Sequence, residues 1–507
     1  MSDSKQRKIG VVLSYVSILI NTLIQLLYTP FLIKNLGQSE YGLYSLISSI
    51  IGYLTVLDLG FGNAIIVYTA KYREQKKYEE EKKLHGMFLI IFIIIGVIAT
   101  ILGLTLYMLV PTIFGDTMTI SELGKAKIMM LILTFNLAFT FPFSIYSSII
   151  NAYEKFTFQK ISSMLSSILK PILMIPLLLL GFKSITMAIT VTLVNIFIML
   201  LNYSYCKTKL NIKIKFMGFD KKLFKEILGY SFFIFLSVAV DKINWSLDQF
   251  ILGAVAGTIQ VSIYATATQL NSLFINLSSA VSGVLLPKMS KMIANNSTKE
   301  ELTNEFIKVG RIQYLVVFLM VSGLILFGKE FIYAWVGYEF KNAYYIALLL
   351  IIPLSIPLIQ NLGISIMQAK NMHKFRSILY ALIAIANLII SIPLARRFGG
   401  IGSAIGTSIS LIIGNIIIMN IYYHKKVGLD VIKFFKEIIK MTIPNVIPVI
   451  IILIIMKFIN FHGYYHLIIF GGIYTILYMI TSYFITMNNY EKNIVNKLLK
   501  KLHLKKV

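Results

Sequence analysis

Stretches of about 20 apolar residues recur from one end of this chain to the other. That length is what an α-helix needs to cross the hydrocarbon core of a bilayer. Lipid offers backbone N–H and C=O groups no partner, so a spanning segment is either a helix or a strand of a closed barrel. Barrel strands are short and alternate apolar with polar residues, whereas these runs are continuous and rich in Ile, Leu and Phe. The fold class is therefore all-α, a polytopic membrane protein. Composition agrees, since 57% of the 507 residues are hydrophobic and 14% are charged, against roughly 45–50% and 25% in soluble proteins.

We place fourteen spans, at about 9–33, 42–68, 84–110, 126–150, 158–180, 184–205, 229–250, 261–286, 311–335, 342–367, 374–395, 400–423, 441–459 and 465–487. An even number returns both termini to one side. Of the 48 Lys and Arg residues, 37 fall in loops and tails on that side and 9 on the other, with Lys170 and Lys242 inside spans. The positive-inside rule then puts both termini in the cytoplasm. The net charge of +26 reads as a topology and anionic-lipid signal, not a nucleic-acid footprint. Lys5, Arg7 and Lys8 precede an apolar run with no small-residue cleavage site, so the first run is expected to stay as a span. The single cysteine, Cys206, excludes an internal disulfide or a cysteine metal cluster.

The halves of the chain resemble each other. GQSEYGLY at 37–44 matches GTIQVSIY at 257–264, and ITMA at 185–188 matches IGSA at 401–404. Six helices per repeat return the chain to its starting side, so the repeats run parallel, a design that places substrate between halves. The domains read as an N-lobe at 1–205, a basic cytoplasmic linker at 206–228, a C-lobe at 229–424, and two added helices with a basic tail at 425–507. The loops opposite the termini are short, so function is expected within the membrane.

The segment 230–250, YSFFIFLSVAVDKINWSLDQF, carries Asp241, Lys242 and Asp248 inside a span. A mid-bilayer charge costs about 2.5–3.5 kcal/mol even on lenient insertion scales. At about 100° per residue, Asp241, Asn244 and Asp248 share one stripe with Lys242 on its flank. Such groups either line a substrate path or pair across the bundle to hold it together. Helix 1, the repeat partner, holds Asn21, Gln25 and Tyr28 in a stripe that reads equally as interhelical hydrogen-bond glue. Asp58 precedes Gly60 and Gly62, which permit a bend, and Lys170 precedes Pro171 near mid-membrane. Lys170 and Lys242 are the two cations available to a buried anion such as a phosphate, or to Asp58, Asp241 or Asp248 as ion-pair partners.

Other signals are weak. GLILFGKE at 323–330 lacks the Ser/Thr and the preceding strand of a phosphate loop. His462 and His466 have no carboxylate or cysteine beside them, so no metal site is expected, nor any cofactor. The charge run 71–83 reads as a solvated hairpin, and the tail 492–506 as a basic amphipathic helix on the inner leaflet.

The stretches YTPFLIKNLGQSEYGLYSLISSI at 28–50, LDLGFGNAI at 57–65, NAYEKF at 151–156, LDQFILGAVAGTIQVSIYATATQL at 247–270 and RRFGGIGSAIGTSIS at 396–410 resemble the Wzx-like polysaccharide flippases. These belong to the superfamily that also holds MATE drug exporters and the lipid II flippase MurJ. The resemblance implies a V of two six-helix lobes, in a bacterial cytoplasmic membrane, around a central hydrophilic cavity. It implies translocation of an undecaprenyl-diphosphate-linked oligosaccharide from inner to outer leaflet by alternating access, for capsule or O-antigen. Cavity cations would meet the diphosphate, and helices 13 and 14 would favour a lipid substrate. A glycan polymerase and export machinery are the implied partners. The chain departs from the lipid II flippases in having no Arg or Lys between Val11 and Ile33, which moves the cation load to Lys170 and Lys242. The alternatives are a cation-coupled MATE-like exporter and a membrane glycan polymerase or glycosyltransferase. The short outer loops, where Asp116 and Glu122 stand isolated, speak against an enzyme.

Overall fold

The computed structural model of the protein describes residues 3–216, 220–282, 286–370, 372–458 and 463–501; most side chains of 3–12, 230–245 and 277–290 lie outside the described set. Among the described residues the chain is helical nearly throughout. Helices α1 (Asp3–Leu36) and α2 (Gln38–Leu54) meet at Gly37. A 3₁₀ turn (Thr55–Asp58) leads to α3 (Phe61–Glu74), followed by α4 (Tyr78–Phe114), α5 (Ile120–Ala152), α6 (Phe156–Leu179) and α7 (Ser184–Thr208). Helix α8 (Lys221–Ser282) is interrupted at Gly257, and α9 (Leu286–Ala294), α10 (Lys299–Val336), α11 (Lys341–Ile359) and α12 (Asn361–Ala369) follow. Helix α13 (His373–Leu411) is interrupted at Gly399 and continues through a π-helical stretch (Ile412–Ile418) into α14 (Met419–Tyr422). The chain ends in α15 (Val431–Phe458), α16 (Gly463–Thr481), a π turn (Ser482–Thr486) and α17 (Asn489–Lys501).

Twelve stretches among the described residues are long and apolar enough to cross a membrane. Two of them contain the breaks at Gly257 and Gly399, and counting the two sides of each break separately gives the fourteen expected from sequence. The second span departs from the continuous helix expected at 42–68. It breaks after Asp58, where Leu59 and Gly60 take positive φ of 52° and 76°, a conformation open to Gly and costly for Leu. The charge run 71–83 forms the expected hairpin, turning at Lys76 between α3 and α4.

By internal contacts the chain divides into two units, Met1–Ala265 with Ile392–Ser403, and Thr266–Ser391 with Ala404–Val507. In the first, α4 packs on α5, α5 on α7 and α1 on α6, with Phe61, Phe88 and Phe92 forming a buried aromatic cluster. In the second, α10 is the central post, packed on α11, α15 and α16. Gly310 of α10 admits the ring of Phe434, which would stand 2.4 Å from any Cβ there.

The repeat read from sequence has a structural counterpart inside the first unit. Gly37 and Gly257 take nearly the same backbone conformation, φ/ψ of 82°/167° and 81°/175°. Three residues on, Glu40 accepts from Ser184 N at 3.4 Å, and Gln260 accepts from Gly400 N at 3.0 Å. In each half, then, the helix after the corner glycine uses one side chain to cap the start of a distant helix, satisfying an N–H left over at its first turn. Glu40 is charged and also holds Lys125, whereas Gln260 is neutral.

Candidate functional site

Helices α2 and α8 approach closely because two glycines remove the side chains that would hold them apart. A Cβ on Gly42 would stand 1.9 Å from Thr258 O, and one on Gly253 would stand 2.5 Å from Leu46 Cδ2. Farther along, the Gly52 position lies 3.8 Å from Lys242 Nζ. The half-buried Lys242 ammonium is therefore held against the glycine face of α2. Ser49 and Tyr53 flank Gly52, and among the described residues their buried hydroxyl oxygens have no hydrogen-bond partner. Buried polar groups are normally satisfied, so two partnerless hydroxyls on the stretch of α2 that carries Gly52 offer hydrogen bonds to a polyhydroxylated ligand. Sequence reading missed both. A lone Ser and Tyr in an apolar helix carry no signal until the facing helix is known.

Asp248 lies on the same face of α8 but does something else. It is 2% exposed; its Oδ2 accepts from Tyr264 at 2.5 Å and its Oδ1 from Ser403 at 2.7 Å. These donors sit beyond the breaks at Gly257 and Gly399, so one carboxylate ties three helical pieces together. A hydrogen bond to a charged group contributes about 1.5–3 kcal/mol. Tyr264→Phe and Ser403→Ala are each expected to lower thermal stability in detergent by that order, and Asp248→Ala by more than either. Equal melting of Asp248→Ala and wild type would remove the tie.

The other sequence candidates are dispersed. Asp58 closes the 3₁₀ turn, where its carboxylate accepts from the backbone of Gly60 and Gly62 and so caps α3. On α1, Asn21 is exposed and donates to Ser17 Oγ at 3.5 Å, while Gln25 and Tyr28 are half-buried. Lys170 is half-buried on α6, the helix that packs along α1, and no ion pair to it occurs among the described residues. Asp241 and Asn244 lie on α8, but their side chains are outside the described set. His462 also lies outside it, and no group of three metal-ligating side chains occurs among the described residues.

At the Gly37 and Gly257 end, the contact between α2 and α8 is polar and small. Glu122 opens α5 in a capping box with Thr119, and its Oε1 accepts from Ser39 at 2.5 Å and from Thr258 at 2.7 Å. Thr117 Oγ1 donates to Gly253 O at 2.6 Å, and Phe114 meets Phe250 edge to face, 5.8 Å between ring centres. Hydrogen bonds and one aromatic contact join the helices at this end, beside the buried Leu46 side chain that packs on Gly253.

Comparison with known proteins supports this reading of the fold. The chain is 21% identical over 412 residues, 80% of this chain and 94% of the other, to a Shigella flexneri protein named "Putative O-antigen transporter". Among solved structures it resembles "Lipid II flippase MurJ, inward closed conformation", with TM-score 0.72 and 20% identity over 94% of this chain and 98% of that one. An inward-facing multidrug MATE transporter matches with TM-score 0.59 and 16% identity, over 81% and 96%. The fold is thus that of the MurJ and MATE proteins. A family model described as "Polysaccharide biosynthesis protein" matches residues 8–293, and the chain belongs to that family.

Proposed function

We propose that the protein is a flippase that carries a lipid-linked oligosaccharide, on undecaprenyl diphosphate, from the inner to the outer leaflet of a bacterial cytoplasmic membrane. The observation that carries this reading is Lys242 lying against the Gly52 position of α2, on the stretch that also carries the partnerless hydroxyls of Ser49 and Tyr53, inside a membrane-spanning bundle. An ammonium attracts a phosphate, and idle hydroxyls hydrogen-bond sugars. Intramembrane ionisable groups mark transport paths by default. Lys170, Asp241, Asn244, Asn21, Gln25 and Tyr28 complete the proposed path. Asp58 and Asp248 hold its frame.

In this reading the repeats move as lobes at 1–205 and 229–424, both termini face the cytoplasm, and the Glu122, Ser39 and Thr258 contacts close the outer side. Opening outward breaks a few hydrogen bonds, each with a net contribution of about 0.5–1.5 kcal/mol, more for those to the carboxylate. That is within reach of substrate binding energy. The protein is a transporter rather than an enzyme. A capsule or O-antigen unit is the proposed cargo, with anionic lipids, a glycan polymerase and export machinery as partners.

Deleting the gene is expected to abolish surface glycan while intact lipid-linked oligosaccharide accumulates on the cytoplasmic leaflet. Normal surface glycan with raised sensitivity to toxic cations would point instead to the MATE-like exporter. Lys242→Ala, expressed at the wild-type level, is expected to cut glycan export at least tenfold, and Lys242→Arg to retain part of it. Full export by Lys242→Ala would exclude the α2–α8 face from the path.

A further inference from the structure

The segment between α7 and α8 is a built strap. Lys215 N donates to Lys82 O at 3.1 Å, and Lys215 O fills a notch left by Gly86, where a Cβ would stand 2.1 Å away. Lys215 Nζ also reaches Glu79 at 3.4 Å. The sequence NIKIKF at 211–216 alternates, with Ile212 and Ile214 half-buried, Lys213 and Lys215 outward, and Phe216 63% exposed. Exposed lysines crowd both ends of the strap, Lys207, Lys209 and Lys213 before it and Lys221, Lys222 and Lys225 after it. Among the described residues none of these six has an ion pair. Two of the nearby acids are engaged, while Glu80 is exposed. Asp220 accepts from the backbone N–H of Lys222 and Leu223 at 2.9 and 3.0 Å, capping the start of α8, and Glu226 accepts from Tyr68 at 2.9 Å.

Six exposed lysines on the two flanks of one short connection carry an excess of positive charge that an anionic surface would neutralise. Helix α7, long and apolar enough to cross a membrane, ends at Thr208, so lysines just beyond that end are expected where a bilayer has its headgroups. Phe216 beside them supplies an aromatic anchor of the kind that settles at a membrane interface. We propose that the lysines of residues 207–215 and 220–225 form a docking surface for the headgroups of anionic phospholipids, with Gly86 fixing residues 211–216 against α4 so that the lysines face the leaflet. The proposal rests on membrane insertion alone and not on the transported substrate.

The test places an environment-sensitive dye at Phe216→Cys in a Cys206→Ser background and reconstitutes the full chain into nanodiscs. Phosphatidylcholine discs are compared with discs containing phosphatidylglycerol. The expected result is a blue shift that grows with phosphatidylglycerol and reverses at high salt, as exposed charge pairs are screened. Polybasic segments gain about 1 kcal/mol per lysine at such surfaces, so each Lys→Gln change at 207, 209 or 213 should weaken the response about fivefold. Gly86→Val keeps every lysine but unseats the strap, and should also weaken it. Should that variant fail to fold, the lysine series still decides. Identical emission in the two kinds of disc would overturn the proposal. An equal response to soluble polyglutamate would overturn it in favour of an acidic protein partner. Transport is not read in any arm, so failure here leaves the flippase reading untouched, and failure of that reading leaves this one.

Discussion

Glu491→Ala is expected to lower the stability of the protein by about 3 kcal/mol, the low end of the cost of breaking a buried ion pair, because Glu437 still faces the guanidinium. Arg311 of α10 is 7% exposed and Glu491 of α17 is 2% exposed. The guanidinium uses four of its N–H donors, with Nε and Nη2 on the two oxygens of Glu491 at 2.7 and 3.0 Å, Nη1 on Glu437 at 3.2 Å, and Nη2 also on Thr486 O at 3.1 Å. Bidentate pairing of this kind is the strong form of the ion pair. Glu491 does a second job, since its Oε2 accepts from Asn488 N at 2.9 Å while its own N–H donates to Asn488 Oδ1 at 3.0 Å. One carboxylate thus closes the first turn of α17 and fastens that helix to α10 and α15. The double change Arg311→Met with Glu491→Leu removes both charges and should recover most of the loss, less about 1 kcal/mol for the missing cap. Thermal unfolding in detergent checks both. Equal melting of Glu491→Ala and wild type would mean that the cluster holds nothing.

That cluster marks the boundary of what could be read from sequence. Hydropathy made the spans legible because lipid leaves a chain few options, and the matched segments at 37–44 and 257–264 made the repeat legible, though not the caps that follow its two glycines. The pairing of Arg311 with Glu491 joins residues 180 positions apart, and no local pattern announces it. Sequence reading set Arg311 at the head of a span and took the tail for a helix lying on the leaflet. Glu491 falls within the apolar arc of Tyr490, Ile494, Val495 and Leu499 and turns to Arg311, so the start of that arc faces the bundle.

The site divides in the same way. Polar residues in the seventh span stood out because lipid should exclude them, but their partners did not. Asp248 reads alone as a candidate ligand for substrate or cation, and its role as a tie is visible only once Tyr264 and Ser403 are beside it. Ser49 and Tyr53 were illegible for the opposite reason, since residues so ordinary gain meaning only once their buried hydroxyls are seen to lack partners. Asp58 was read with its glycines as a bend, and the bend is there, with the carboxylate spent on the turn itself.

Gly42→Val is expected to abolish glycan export while leaving the protein in the membrane at its normal level. At 1.9 Å from Thr258 O, a Cβ on residue 42 is incompatible with the closed contact, and the obstacle is backbone that cannot rotate aside. A β-branched residue is accepted in α2 itself at a cost of well under 1 kcal/mol, so the effect should fall on the closed state rather than on helix formation. Populations follow the difference in free energy between states, and a clash worth a few kcal/mol moves a two-state equilibrium by two orders of magnitude or more. Leu46→Cys in a Cys206→Ser background reports that shift. Leu46 is fully buried against Gly253 in the closed arrangement, so a membrane-impermeant maleimide should react with Cys at 46 only when Gly42→Val is also present. Glu122→Gln weakens the same closure without a clash, and should give intermediate labelling with partial export. If Gly42→Val exports normally and position 46 stays protected, the contact between α2 and α8 is fixed structure, and alternation must occur elsewhere in the bundle.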